Sequence, residues 1–131
     1  LRLNKLVSPA FVTFSAVGSV GLLVHAVVLY FISLDQRNTF LVSQSVATFV
    51  AITTNFFLNN EVTFRRKRLR GRAIFPGLLS FYVACSLGAV INLAISQLLY
   101  SAGALYMIAG ISGGLLAAVW NYLTTSKSVW R

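Results

Sequence analysis

The chain has 131 residues, 57% of them apolar and 10% charged, with 11 Lys and Arg against 2 Asp and Glu. A soluble domain carries about 25% charged residues, so the composition belongs to the membrane class, and the length suits one domain, 1–131, of about four helical spans of ~20 residues. The net charge of +9 is not spread over a face: residues 6–34, 38–60 and 73–126 contain no Asp, Glu, Lys or Arg, which argues against nucleic-acid binding and leaves the cations as topology signals and contacts to anionic membrane lipids.

The N-terminus, Arg2…Lys5 followed by apolar residues, mimics a signal peptide. The apolar run exceeds a 7–15-residue h-region and reads as a first span of about 11–34. The absence of an initiator Met fits a processed chain or a piece of a longer protein. Within this span, Gly18-Ser19-Val20-Gly21 has no strand before it and is not a nucleotide loop; close helix packing is its expected role, as for Ala84…Gly88 and Gly110…Gly114. The last pair can act within the bundle or between subunits of an oligomer. His25 lies near mid-span, where an ionisable residue raises a functional question. The favoured reading is a neutral imidazole hydrogen-bonded across the bundle to Asn92.

The second span, about 39–60, ends in "NFFLNNEVTFRRKRLRGR". Asn55 and Asn59 are four apart and share a helix face. Either they tie this span to Asn121 on the fourth, or they floor a polar notch roofed by arginines. Glu61 and Arg65, spaced i,i+4, form the expected local ion pair. Five of the six cations at Arg65, Arg66, Lys67, Arg68, Arg70 and Arg72 are arginine, which favours bidentate phosphate contact. Phe64, Tyr122 and Trp130 read as interfacial aromatics.

Residues 73–126 would make one helix of ~81 Å at 1.5 Å per residue, far beyond a ~30 Å hydrocarbon core. The run must fold back, with the turn expected at 100–104 and spans at about 75–99 and 105–126. All spans are expected to be helical, because lipid satisfies no backbone hydrogen bonds. Ten cations, Arg2, Lys5, the cluster, Lys127 and Arg131, then fall on one side and Arg37 on the other. Both termini and the central loop are expected to be cytoplasmic. Cys85 is the single cysteine and excludes an internal disulfide. One His and one Cys make no metal cluster, no cofactor is implied, and no catalytic constellation is visible.

The two halves align weakly, pairing Gly21 with Gly88, His25 with Asn92, Asn55 with Asn121, Phe64 with Trp130 and Arg65 with Arg131. Each unit would be a two-span hairpin. The expected fold is an all-α membrane protein of four transmembrane helices, arranged as two parallel two-helix repeats.

The segments "FVTFSAVGSVGLLVH", "NFFLNNEVTFR" and "WNYLTTSKSVWR" together resemble the GtrA-like family over nearly the whole chain. The resemblance implies a bacterial inner-membrane domain of cell-surface polysaccharide synthesis, most similar to the C-terminal membrane domain of polyprenyl-phosphate (dolichol-phosphate) mannose or glucose synthases. A family 2 glycosyltransferase domain, in the same or another chain, is the implied partner, and polyprenyl phosphate or its sugar-linked form the implied ligand. On this reading the domain anchors the enzyme and presents the lipid acceptor; the alternative is a free-standing flippase of the lipid-linked sugar. A small multidrug transporter would need an acidic residue at mid-span, which this sequence lacks. The motif residues carried over are Asn55, Phe56, Asn59, Phe64 and Arg65, with Asn121 and Arg131 as second-half counterparts. Thr124 and Thr125 stand where the first half has Leu58 and Asn59. The candidate lipid-phosphate residues are Asn55, Asn59, Arg65, Arg66, Arg68, Asn121 and Arg131, with His25 and Asn92 as intramembrane polar residues.

Overall fold

The computed structural model describes residues 8–130, with the side chains of 113–119 and 126 left out. Arg2, Lys5, Arg131 and the Gly114 side of the Gly110…Gly114 pair lie outside the described residues. Four helices follow one another: α1 (Pro9–Ser33), α2 (Phe40–Leu58), α3 (Ile74–Ser101) and α4 (Tyr106–Ser128). Among the described residues there is no strand.

Local chemistry sets the boundaries. Ser8 caps α1 by accepting the Phe11 N–H at 3.2 Å, with Pro9 at the first helical position, where its missing N–H costs nothing. Thr39 caps α2 through the Val42 N–H at 3.3 Å. Between them Asp35 pairs with Arg37 at 3.1 Å. Hydrogen bonds from Arg37 hold the Asp35 carboxyl below its ordinary pKa; the pair is solvent-exposed and adds little to stability. The expected turn after the third span is present. Ala104 N–H bonds the Leu99 carbonyl at 2.9 Å and Gly103 N–H bonds that of Tyr100 at 3.0 Å. This is a Schellman motif, and it requires the φ of +93° that Gly103 adopts.

The helices pack as two antiparallel hairpins, α1 on α2 and α3 on α4, closed by α1–α4 and α2–α3 contacts. Polarity is inverted relative to a soluble bundle. Leu23, Phe31, Phe49, Val83 and Leu98 face outward, while His25, Gln44, Asn59, Asn92, Ser96 and Thr125 are buried. Among the described residues, three segments, Pro9–Ser33, Phe40–Thr63 and Gly71–Ser101, are long and apolar enough to cross a membrane.

Polar glue sits at mid-bundle. Gln44 Nε2 lies 3.1 Å from Asn92 Oδ1, 3.0 Å from Ser96 Oγ and 3.3 Å from the Gly110 carbonyl. Asn92 Nδ2 donates to Thr48 Oγ1 at 2.9 Å. Gly110 permits this approach, since a Cβ there would lie 2.5 Å from Leu29 Cδ2 and 2.9 Å from Gln44 Oε1. Gly110 therefore packs within the bundle. Nearer the other end, Ile52, Phe56, Phe81, Cys85 and Trp130 form an apolar core. Trp130 stacks on Phe64, ring centroids 4.3 Å apart, and is 3% exposed. The expectation that it is an interfacial aromatic fails, because its indole N–H finds Asn60 Oδ1 at 3.2 Å inside the fold. Tyr122 packs instead on Phe11 and Phe14 of α1.

Candidate functional site

The site begins where α2 ends. Residues Asn59–Thr63 form one π-turn, closed by Phe64 N–H to the Asn59 carbonyl at 2.8 Å. The Asn59 side chain is spent inside this turn: its Nδ2 donates to the Asn55 carbonyl at 2.9 Å and its Oδ1 accepts from Thr63 Oγ1 at 2.7 Å. Asn60, which no sequence pattern singles out, fastens the returning loop. Its Oδ1 accepts from the Leu69 N–H at 2.8 Å and its Nδ2 donates to the Leu69 carbonyl at 3.0 Å. The same Oδ1 takes the Trp130 indole N–H, so one amide joins the ends of α2 and α4 to the basic turn.

The helix breaks at Phe64, with φ −108° and ψ 30°, so the i,i+4 geometry of Glu61 and Arg65 is lost. Glu61 pairs with Arg68 instead, at 2.8 Å, which corrects the expected local pair. Arg65, Arg66, Lys67, Arg70 and Arg72 are exposed. Among the described residues only Arg37 and Arg68 are in ion pairs. Of the arginines proposed for phosphate, Arg65 and Arg66 thus keep open forks, while Arg68 is engaged.

Asn55 and Asn121 come together with His25 in a cleft of about 250 Å³ beside α1. Phe11, Phe14 and Tyr122 line its end near the basic turn, His25 and Thr48 its inner end, and the exposed Ser15 and Ser19 its edge. From Phe11 to His25 the cleft follows α1 for ~21 Å at 1.5 Å per residue. Gly21 makes room for the Asn55 amide, because a Cβ would stand 2.0 Å from Asn55 Oδ1. Gly18 serves openness, not packing, since a Cβ there would meet nothing within 4 Å. Among the described residues, no Asp, Glu, Lys or Arg lines the cleft.

Among the described residues, four of its atoms are buried with no partner within hydrogen-bond distance: His25 Nδ1, His25 Nε2, Asn55 Oδ1 and Asn121 Oδ1. The expected His25–Asn92 bond does not form. Asn92 lines the cleft, but its amide is taken by Thr48 and Gln44. Nor do Asn55 and Asn121 tie α2 to α4, since both amide oxygens are left over. Neutral polar groups of this kind bind and orient; they offer no strong acid, base or anion clamp. Among the described residues no group of His, Cys, Asp and Glu could hold a metal. The signal for Gln44 and Thr48 was present in the sequence, because Gln44, Thr48, Ala51 and Asn55 recur at helical spacing on one face.

The family model "GtrA/DPMS, transmembrane domain" matches residues 13–130. The dolichol-phosphate mannosyltransferase of Pyrococcus furiosus is 34% identical over 120 residues, which cover 91% of this chain and 33% of that protein. The chain thus spans about a third of the length of this curated relative. The family match and the three long apolar helices make the chain a membrane protein.

Proposed function

The chain belongs to the GtrA/DPMS transmembrane-domain family, and we propose on that premise that it anchors a polyprenyl-phosphate glycosyltransferase and presents the lipid acceptor to it. In this reading residues 1–131 form one domain, α4 is the fourth span, and the hairpins α1–α2 and α3–α4 are parallel repeats. The basic turn and both termini face the cytoplasm of a bacterial inner membrane, where a family 2 glycosyltransferase domain meets them. Arg65 and Arg66 hold the lipid phosphate, as guanidinium forks do. The neighbouring cations draw anionic lipid at ~1 kcal/mol each.

The observation that carries this reading is the pairing of two features at one end of the bundle. A basic turn with exposed arginines outside any ion pair follows α2 shortly after Asn55, and the π-turn leading into it packs on α1, the helix that edges the cleft. The name of the Pyrococcus relative supports polyprenyl-phosphate sugar chemistry as the setting. A second reading, translocation of the lipid-linked sugar, is favoured by the depth of the cleft, which reaches His25 well inside the span.

Binding of radiolabelled polyprenyl phosphate to the purified chain in nanodiscs tests the first reading. Saturable binding that polyprenol does not displace is expected. Equal displacement by polyprenol, or no binding, would remove the phosphate-presenting role. For the second reading, a fluorescent polyprenyl-phosphate sugar placed on one leaflet of proteoliposomes should become accessible to a quencher on the other; an unchanged rate against empty vesicles rejects it.

A further inference from the structure

The cleft poses a chemical question that a phosphate does not answer. His25 is 3% exposed and Asn121 is 9% exposed; the amide oxygens of Asn121 and Asn55 lack partners, and the His25 nitrogens have none within hydrogen-bond distance, with the Gln44 side chain beside the ring. Amide oxygens accept hydrogen bonds and need donors. Neutral imidazole offers one donor and one acceptor. A phosphate dianion brings acceptors alone and calls for cations, and among the described residues no cation lines this cleft. Hydroxyl groups bring a donor and acceptors on the same atom. The volume of about 250 Å³, just under the ~300–1,000 Å³ of pockets for drug-sized ligands, suits a small headgroup. Tyr122 and Phe14 add aromatic surface beside the amides.

Resting on the lipid-linked-sugar reading above, we propose that the cleft beside α1 is a binding site for the neutral monosaccharide headgroup of a polyprenyl-phosphate sugar. Asn55 and Asn121 accept its hydroxyls beside Gly21 and Tyr122, and His25, one turn of α1 further in than Gly21, exchanges a hydrogen bond with it. Gly21 keeps the Asn55 amide turned along α1, and Gly18 leaves the cleft wide. The phosphate stays outside with Arg65 and Arg66. The domain therefore recognises the glycosylated lipid as well as the bare one, and does so inside the membrane.

The chain has one histidine, so histidine-selective ¹⁵N labelling reports on the cleft alone. The wild-type chain in nanodiscs is titrated with polyprenyl-phosphate mannose, polyprenyl phosphate and free mannose. The His25 ring resonances are expected to move with the mannosylated lipid and to stay in place with the bare lipid. Free mannose should move them only at far higher concentration. In binding assays the mannosylated lipid should be held about tenfold tighter than polyprenyl phosphate, and Ser19→Trp, which narrows the exposed edge, should reduce that ratio at least fivefold. Bare lipid that binds saturably, with equal affinities for both lipids and unmoved His25 resonances, would overturn the sugar site while leaving the phosphate-presenting role intact. Failure of the wild-type chain to bind either lipid would overturn both. Free mannose binding as tightly as the lipid-linked form would overturn the assignment to a lipid headgroup.

Discussion

Replacing Asn60 by Ala removes its three shortest hydrogen bonds at once, those to the Leu69 N–H, the Leu69 carbonyl and the Trp130 indole, together with a longer one of 3.4 Å to Glu61 Oε1. At about 0.5–1.5 kcal/mol net for each, the loss comes to about 3 kcal/mol. The buried Trp130 N–H left without a partner works in the same direction. Asn60→Asp keeps both acceptor contacts but sets a buried carboxylate oxygen against the Leu69 carbonyl and the Glu61 carboxylate, so it should not rescue the loss. The assay is reversible unfolding in mixed micelles, followed by tryptophan emission in a Trp120→Phe background that leaves Trp130 as the single indole. Emission from Asn60→Ala in the folded state should shift to longer wavelength as the Phe64–Trp130 stack loosens. The basic turn should also become more sensitive to trypsin. A loss below about 0.5 kcal/mol with unchanged emission would show that Asn60 does not fasten the turn, because that is less than one ordinary hydrogen bond.

Gly110→Ala places a methyl 2.5 Å from Leu29 Cδ2 and should cost about 1–3 kcal/mol through overpacking, read in the same unfolding assay; Gly18→Ala, with nothing within 4 Å, should cost far less. Arg65→Lys should weaken polyprenyl-phosphate binding about tenfold, since Lys cannot present a bidentate fork, whereas Arg72→Lys should change it less than threefold; equal effects would reduce the cluster to a topology signal. Asn55→Leu should weaken use of the lipid-linked sugar, measured by the same equilibrium binding. In a Cys85→Ala background, a cysteine at Arg70 should resist an impermeant reagent in intact cells and react once the membrane is opened; labelling from outside would reverse the orientation.

The helices were legible because their signals are long-range and redundant. Apolar runs bounded by charge place the helices within a few residues, and Tyr100–Ala104 announced its turn through Gly103. Side-chain partnerships were less legible. Glu61 and Arg65 stand at helical spacing, yet a π-turn and a break at Phe64 hand Glu61 to Arg68. Nothing in a hydropathy pattern marks a π-turn. In "LNNEV" two adjacent amides read alike, but Asn59 is consumed by its own turn while Asn60 joins three segments. The sequence placed Asn55, Asn121 and His25 at interior positions but paired them with one another or with Asn92. The structure leaves their polar atoms over, because Gln44 and Thr48 satisfy Asn92 first.

The central claim is that the lipid-linked substrate enters the cleft beside α1 and does not merely surround the bundle. Photo-crosslinking tests it most directly, with a polyprenyl-phosphate mannose carrying a diazirine near its headgroup and the labelled residues mapped by mass spectrometry. Labels on Phe14, Asn55 and Tyr122, lost on addition of unmodified polyprenyl-phosphate mannose, are expected. Labels confined to outward residues such as Phe31, Phe49 and Val83, undiminished by the competitor, would contradict the claim.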